Sequence, residues 1–504
     1  MTQLLDLTDI QGNIVKPYGR YRFPAARFLL LQIKQADKGR EFVCAVTAKV
    51  TTAVRWDDGG SPEAVPKPKA TTNIAFTFDG LRKLELPTAS LMGFPQEFVM
   101  GMKKRKDILG DDGPSDPKNW DEVWQKKIHI WISIYGQSAA DLEERYQWLL
   151  AEIKKTDEGI IVLTGHRGAD GNADLPYQQA CVLFENGTPI AKEHFGYTDG
   201  IGDAIFDGQT ENQDLVVGSG KLTKKGGWLP LAIGEFLLGY TDEAKEYPQA
   251  PQPYLLSRNG TFMVYRKLHQ NVGTFNRFLE EQSKDFPGGK ELLAAKFVGR
   301  WRDNGAPIVH APDAASKAEW DKKFALASPR EQRRMLTDFT FNDDIDGARC
   351  PIASHIRRIN PRGSLQFGEK DPFDTPGALD NRRRMIRRGL PYGACTNPTQ
   401  DGGDHGIIFM ALNVDIERQF EFVQQQWINY GNDFKEGNDR EILTGNHSTD
   451  GFGKMVIQAE KNSGKPPYFV KNIPRLVETR GGEYFFIPSL TALRMISKGL
   501  IDPT

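Results

Sequence analysis

The sequence predicts an α+β fold made of two ferredoxin-like βαββαβ modules in one chain. Three observations carry that expectation. Apolar segments of strand length alternate with helical segments. Several of those helical segments have an apolar stripe at helical spacing. The same order of strand and helix signals then occurs a second time along the chain. In the first half, "ARFLLLQIK" reads as a buried strand, and "GREFVCAVTAKVTTAVRW" continues with helical spacing. "TNIAFTFDGLRKLEL" is a strand running into a helix. "IHIWISIYG" alternates as a strand should, and "SAADLEERYQWLLAEIKK" is an amphipathic helix with Ser138 at its N-cap. "GIIVLTGHRG" adds a further strand. In the second half "GTFMVYRKL", "HGIIFMALNV" and "GGEYFFIPS" are strands. "VGTFNRFLEEQSKDF", "GKELLAAKFVGRWRD" and "IERQFEFVQQQWINY" are helices. "DDGGSPEAVPKPKATT" reads as a loop, and residues 311–346 as an inserted surface helix with a loop. The domain boundaries expected are 1–215 and 216–504.

Bulk properties narrow the function classes. A chain of 504 residues is long enough for two substantial cores. With 65 basic and 66 acidic residues, no overall field favours nucleic acid or an anionic membrane. No apolar run approaches the roughly 20 residues of a membrane span. The start of the chain carries neither a signal-peptide nor a twin-arginine pattern, so a cytoplasmic location is expected. Cys44, Cys181, Cys350 and Cys395 are too scattered for a disulfide framework or a zinc site.

Three stretches carry chemistry. "GYTDGIGD", residues 196–203, sets Asp199 among glycines, which suits an acid held close to a tightly fitting ligand, or simply a turn. "CPIASHIRRINPR", residues 350–362, reads as a short helix opened by Pro351 and ended by Asn360 and Pro361. His355 lies within it, flanked by Ile352, Ile359 and Arg358, with Arg357 and Arg362 adding charge. Alone, this is a core histidine beside a basic face. "RRRMIRRGLPYG", residues 382–393, would put Arg387 and Arg388 on opposite faces of a strand, or form a charged edge strand. An RNA-binding reading of this stretch fails for want of interleaved aromatics.

Taken together, "GxxDG", "H-I-R-R-x-N-P-R" and an arginine before "G-L-P-Y-G" resemble the dye-decolourising peroxidases, a haem peroxidase family. "DIQGNIVKPY", "FPQEFVMGMKKRKDILGDDG", "QFEFVQQQW" and "GGEYFFIPS" resemble further segments of that family in the same order. The chain's length suggests one of the longer, insertion-bearing subgroups. The resemblance implies a fold of the dimeric α/β-barrel type, with one haem b held mainly by the C-terminal module. The haem is non-covalent, since no C-x-x-C-H attachment motif is present. Carried over by motif, His355 is the proximal iron ligand, Asp199 the distal acid–base and Arg387, not its neighbour Arg388, the distal arginine. Arg357 and Arg358 pair with the propionates, while Gly200, Ile407 and Phe409 line the haem. Glu441, in "REILTG", polarises the proximal histidine, with Asp415 and Glu478 as fallbacks. Hydrogen peroxide and aromatic or dye electron donors are the implied partners. An oligomer is compatible with the sequence.

The residue types suit that reaction. Cleaving peroxide heterolytically needs one group that moves a proton from the inner to the outer oxygen, and a fixed cation for the charge that develops. Two other readings remain open. Asp199, Asp203 and Asp207 could form a cation loop, although their spacing departs from the calcium-loop pattern. A haem carrier, sensor or iron-releasing dechelatase would use His355 but has no need of Asp199 and Arg387. An aspartate with an ordinary pKa of about 3.9 works best on the acidic side. The pH profile of peroxide-dependent dye oxidation is therefore expected to peak below neutrality. An optimum above pH 8 contradicts Asp199 as the base.

Overall fold

The computed structural model describes residues 5–56, 65–168, 170–365, 377–447, 453–459 and 463–499. Of the loop expected from "DDGGSPEAVPKPKATT", residues 57–64 lie outside the described residues, and its last three residues, Ala70–Thr72, belong to a strand instead. The first module runs β1 (Ala25–Ile33), α1 (Ala36–Thr47), β2 (Ala70–Phe76), β3 (Ile130–Gly136), α2 (Ala139–Lys154) and β4 (Ile160–Val162), followed by a short strand β5 (Gln178–Cys181). Its strands lie in the order β2-β3-β1-β4, all antiparallel, which is ferredoxin-like wiring. Ser138 caps α2 by accepting from Asp141 N, and the buried stripe Leu142, Tyr146, Leu149 and Ile153 follows the expected 3.6-residue period.

The second module repeats the wiring. It contains β6 (Thr261–Gln270), α3 (Val272–Ser283), α4 (Gly289–Val298), α5 (Ala314–Leu326), α6 (Pro329–Thr337), α7 (His355–Ile359), β7 (Ile386–Arg387), β8 (Leu390–Tyr392), β9 (Gly406–Asn413), β10 (Val477–Ile487) and α8 (Leu490–Lys498). Its strand order is β7-β9-β6-β10, with β8 continuing alongside β9. β10 pairs with β2 at Phe486 and Phe76, so both modules share one ten-stranded sheet. β5 lies against β8 at the other side, and the sheet curls into a barrel. Phe28, Trp131, Tyr135 and Tyr265 pack ring on ring at its centre.

Four local expectations are corrected. The helix expected across "GREFVCAVTAKVTTAVRW" ends at Thr47. The β-branched run Val50–Thr52 turns extended instead, with Thr51 N donating to Thr72 O and Thr52 bridging Gln11. The insertion holds two helices rather than one. Ser328 and Glu331 form a capping box, and Pro329 starts a new helix at its first turn. The "IERQFEFVQQQWINY" helix is π-helical over Glu417–Glu421 and Val423–Ile428. Finally, Pro351 does not open the helix of His355. It heads a separate turn closed by Ser354 N, and Ser354 is the N-cap of α7. Among the described residues no helix is long and apolar enough to cross a membrane, and all four cysteines are free.

His166, between β4 and β5, is 2% exposed, and its Nε2 has no partner among the described residues. Burial, with Lys267 and Lys126 adding to it, pushes its imidazole down to about 3. The unfolded chain then takes up a proton below about pH 6.5 that the folded chain refuses. Stability is full above pH 6.5 and falls as the pH drops towards 3, at most about 1.4 kcal/mol per unit from this group. Urea midpoints measured from pH 7 to pH 4 are expected to decline less steeply in His166→Gln than in the parent.

Candidate active site

"GYTDGIGD" is pinned before it reaches its acid. Asp199 N donates to Ala191 O at 2.9 Å, and Glu193 N to Tyr197 O at 3.1 Å. The buried Glu193 carboxylate accepts from the amides of Phe195 and Tyr197 and from Gln270 Nε2. Gly200 and Gly202 have φ of 77° and 71°, a backbone that side-chain-bearing residues rarely adopt. The turn they make leaves the Asp199 side chain exposed. Its Oδ1 accepts from Gly200 N at 2.6 Å.

Asp203, four residues on, faces inward. Its Oδ1 accepts from Arg387 N at 3.0 Å and its Oδ2 from Arg388 Nη1 at 2.6 Å. Arg388 is buried, and its other donors reach Asn13 O at 2.6 Å and Ile14 O at 2.7 Å. Arg387 points the other way, as alternation on β7 requires, with Nη2 on Ile201 O at 3.0 Å. The structure thus separates the neighbouring arginines. Arg388 is structural, and Arg387 borders the cavity.

That cavity has two lobes of 280 and 160 Å³, and Asp199, His355, Arg387 and Ile407 line both. Phe409 lines the larger lobe and Gly200 the smaller. Leu268, Ile356 and Ile359 make the shared walls apolar. Asp199 and Arg387 also border a chamber at the barrel end that His355 does not reach. His355 therefore lies on the side of the acid and the cation away from that chamber.

His355 starts α7. Ser354 Oγ donates to Lys296 O at 2.5 Å, which ties the start of α7 to α4. His355 Nδ1 lies 3.3 Å from Glu441 Oε1, close but not aligned as a hydrogen bond. Nε2 has no protein partner among the described residues. Glu441 is fully buried and accepts from Leu443 N, Thr444 N and Thr444 Oγ1. Burial alone would raise its pKa, but His355 and those donors hold it down to about 2. The fallbacks do not touch His355. Asp415 caps the following π-helix through Arg418 N, and Glu478 accepts from Asn271 and pairs with Arg480.

The expectation for Arg357 and Arg358 is corrected. Both are buried and turned away from the cavity. Arg357 binds Cys350 O, Ile345 O and Asp344, while Arg358 binds Trp427 O, Tyr430 O, Asp439 O and Glu436. Carbonyls from the loops around them take up their terminal nitrogens, and Arg358 thereby braces the segment that carries Glu441. Seven arginines line the larger lobe, and three of them, Arg300, Arg362 and Arg384, are buried without an acidic partner among the described residues. The guanidinium groups of these three rest on carbonyls of 218–220, 305 and 336–339. Burial, with Arg387 next, pulls Arg300 down to about 9 and Arg384 to about 10, and Arg362 is lowered further. A guanidinium keeps its proton in any case. The shifts therefore mark buried positive charge still lacking a counter-charge. Arg362 stands in the quoted "NPR" motif. Nothing local in the sequence distinguishes Arg300 or Arg384.

The competing readings lose their geometry. Asp203 is taken by Arg387 and Arg388, and no cluster of metal-binding side chains exists among the described residues. The "RRRMIRR" stretch is not a solvated basic face either. Arg382 pairs with Asp242, Arg383 stacks on Phe422, and Arg384 and Arg388 are buried.

Comparison with known proteins agrees with this architecture. Residues 9–168 match the model of the DyP dimeric alpha+beta barrel domain. A dye-decolorizing peroxidase, msp1, of Mycetinis scorodonius is 29% identical, over 98% of this chain and 88% of its own length. The structure of an ancestral D-type dye decolorizing peroxidase superposes with a TM-score of 0.73 at 27% identity, covering 98% of this chain and 99% of that one. A dye-decolorizing peroxidase solved in complex with 2,6-dimethoxyphenol has the same fold, with a TM-score of 0.73 at 22% identity over 98% of this chain and 100% of its own. The first module is thus a DyP dimeric alpha+beta barrel domain, the chain is similar to dye-decolorizing peroxidases over nearly its whole length, and it is a peroxidase.

The two arginines are separable by experiment. Removing Arg388 takes the cation from the half-buried Asp203 carboxylate and the donors from Asn13 O and Ile14 O, so Arg388→Leu is expected to lose about 1–3 kcal/mol in urea unfolding. Arg387→Leu keeps that pair and should unfold within about 1 kcal/mol of the parent.

Proposed function

We propose that this peroxidase holds one non-covalent haem b in the two-lobed cavity and reduces hydrogen peroxide while oxidising phenols or dyes. The observation that carries the reading is the pairing within one cavity of His355, backed by Glu441, with Asp199 and Arg387. The residues fit the cofactor. His355 Nε2 lacks a protein partner, and the apolar walls suit a porphyrin face. Arg300, Arg362 and Arg384 are buried cations that two propionates would neutralise. Arg357 and Arg358 have no part in that role, because neither lines the cavity and their terminal nitrogens are bonded elsewhere.

The haem would supply an iron that binds peroxide and takes up its oxidising equivalents. Asp199 supplies the proton traffic. Its carboxylate accepts a proton from the inner peroxide oxygen and returns it to the outer one, which leaves as water. Exposure keeps it in contact with solvent protons between turnovers. Arg387 stabilises the negative charge on the departing oxygen and stays protonated throughout. Asp203 holds Arg387 by its backbone, which leaves the guanidinium free to face the cavity. Glu441 draws the Nδ1 proton of His355 towards itself and makes Nε2 a stronger donor. A carrier or sensor would not need Asp199 and Arg387 on the same cavity.

Stopped-flow spectra of the haem-loaded protein after one equivalent of peroxide test this reading. The Soret change is expected to slow by about 10²–10³ in Arg387→Leu and by about 10²–10⁴ in Asp199→Asn. A Soret band that ignores peroxide in the parent refutes the proposal. Parent-like rates in both variants remove these two residues from the mechanism.

A further inference from the structure

Residues 191–199 form a tight hairpin whose returning limb ends at Asp199. Its rungs are Asp199 N to Ala191 O at 2.9 Å, a bridge between Lys192 and Thr198, and Glu193 N to Tyr197 O at 3.1 Å. The place of Asp199 in the cavity wall therefore follows from where this hairpin is held. Three outer contacts tie its tip to the second module. Phe195 stacks on Phe275 of α3 with ring centroids 4.4 Å apart. Tyr197 Oη donates to Ala294 O of α4 at 2.8 Å, and His194 Nε2 lies 3.0 Å from Tyr392 O of β8.

Glu193 differs from these in joining the inside of the hairpin to the second module. Its Oε1 accepts from Tyr197 N at 2.8 Å and its Oε2 from Phe195 N at 2.8 Å. Gln270 Nε2, at the end of β6, donates to the same Oε2. Gln270 Oε1 accepts in turn from His194 N at 3.4 Å, and Gln270 N donates to His405 O at 3.2 Å. Both side chains belong to buried residues, and both residues border the smaller lobe. A buried carboxylate is costly unless it is fully bonded. Here all three partners are neutral donors, so only an ionised carboxylate, with acceptors on both oxygens, satisfies them together. A glutamine would set its own amide nitrogen against one of those N–H groups. The carboxylate thus serves the shape of the hairpin rather than a charge pair.

We propose that Glu193 is a positioning residue for the peroxide step, which clasps the hairpin to Gln270 and so fixes where Asp199 stands at the cavity. Without it, the amides two and four residues before Asp199 lose their acceptor, and Gln270 loses its hold on the loop. Arg387, held through its backbone by Asp203, stays in place. Misplacing a reacting group by about 1 Å can cost about 10² in rate. The positioning role rests on the peroxidase reading, whereas the clasp itself does not.

Hydrogen exchange and stopped-flow spectra of the haem-loaded protein test the two parts separately. In Glu193→Ala, peptides within 191–203 should exchange about tenfold or more faster than in the parent, as the loss of three bonds requires, and those within 382–393 at the parent's rate. The Soret change after one equivalent of peroxide should slow by about 10–10², with the resting spectrum unaltered. Added to Asp199→Asn, the same substitution should slow that change by no more than about twofold, because no placed carboxylate is left to lose. Glu193→Gln keeps an acceptor for two of the three donors. It should fall between the parent and Glu193→Ala in both measurements, and it takes the place of Glu193→Ala throughout if that variant does not fold. Parent-like exchange over 191–203 overturns the clasp, whatever happens with peroxide. A parent-like peroxide rate in Glu193→Ala, or slowing that multiplies with that of Asp199→Asn, overturns the positioning role. Raised exchange beside a parent that ignores peroxide overturns the peroxidase reading instead and leaves the clasp standing.

Discussion

The site depends first on what Asp203 does with its two oxygens. One accepts the backbone amide of Arg387 and the other the guanidinium of Arg388, whose remaining donors reach carbonyls at Asn13 and Ile14. A single carboxylate thus joins the glycine-rich loop, a strand of the second module and the N-terminal helix. It also fixes which way each arginine points. With Asp203 and Arg388 satisfied inside the protein, Arg387 is free for the cavity, and Asp199 sits beside it on a turn that only glycines make easily. A buried pair of this kind adds little net stability, because desolvation offsets most of the attraction. Its effect here is geometric.

A second constraint is charge. Arg300, Arg362 and Arg384 are buried around the same cavity with no carboxylate within ion-pair distance among the described residues. A protein would not keep such an excess in an apolar wall without something to balance it. The proposed anionic cofactor would supply that balance, and two propionates suit planar guanidinium forks. On the far side, Arg358 braces the loop that presents Glu441, and Glu441 in turn is held by Leu443 and Thr444. The histidine, its carboxylate and the arginines behind them form one rigid assembly rather than a set of independent contacts.

Much of this was readable in the sequence, for physical reasons that differ by element. Apolar runs of strand length mark Ile130–Gly136, which is buried throughout, and Gly406–Asn413, which is mostly buried, and the twofold repeat of the wiring shows with them. Ser138 announces its helix because capping is local. That Asp199, His355 and Arg387 meet at one cavity, with Glu441 beside His355, was legible through motifs that keep their spacing. The roles of Arg357 and Arg358 were not. An arginine's partner is set by what packs against it: Arg357 folds back onto the turn that carries Ile345 and Cys350, while Arg358 reaches carbonyls of Trp427 and Tyr430 far along the chain. For the same reason Arg300 and Arg384 gave no local signal. Asp203 was visible in "GIGD", but its role depends on a strand nearly 200 residues away. The π-helical turns at 417–428 share the apolar spacing of an α-helix and so could not be told apart from one.

The central claim is that His355 ligates a haem in the cavity it shares with Asp199 and Arg387. A haemin titration of the haem-free chain, followed in the Soret region, tests it most directly when His355→Ala is run beside the parent. The account predicts saturation at one haem per parent chain with the spectrum of a single histidine ligand, and loss of that spectrum in the variant. Saturable binding with an unchanged spectrum in His355→Ala, or no uptake by the parent, would contradict it.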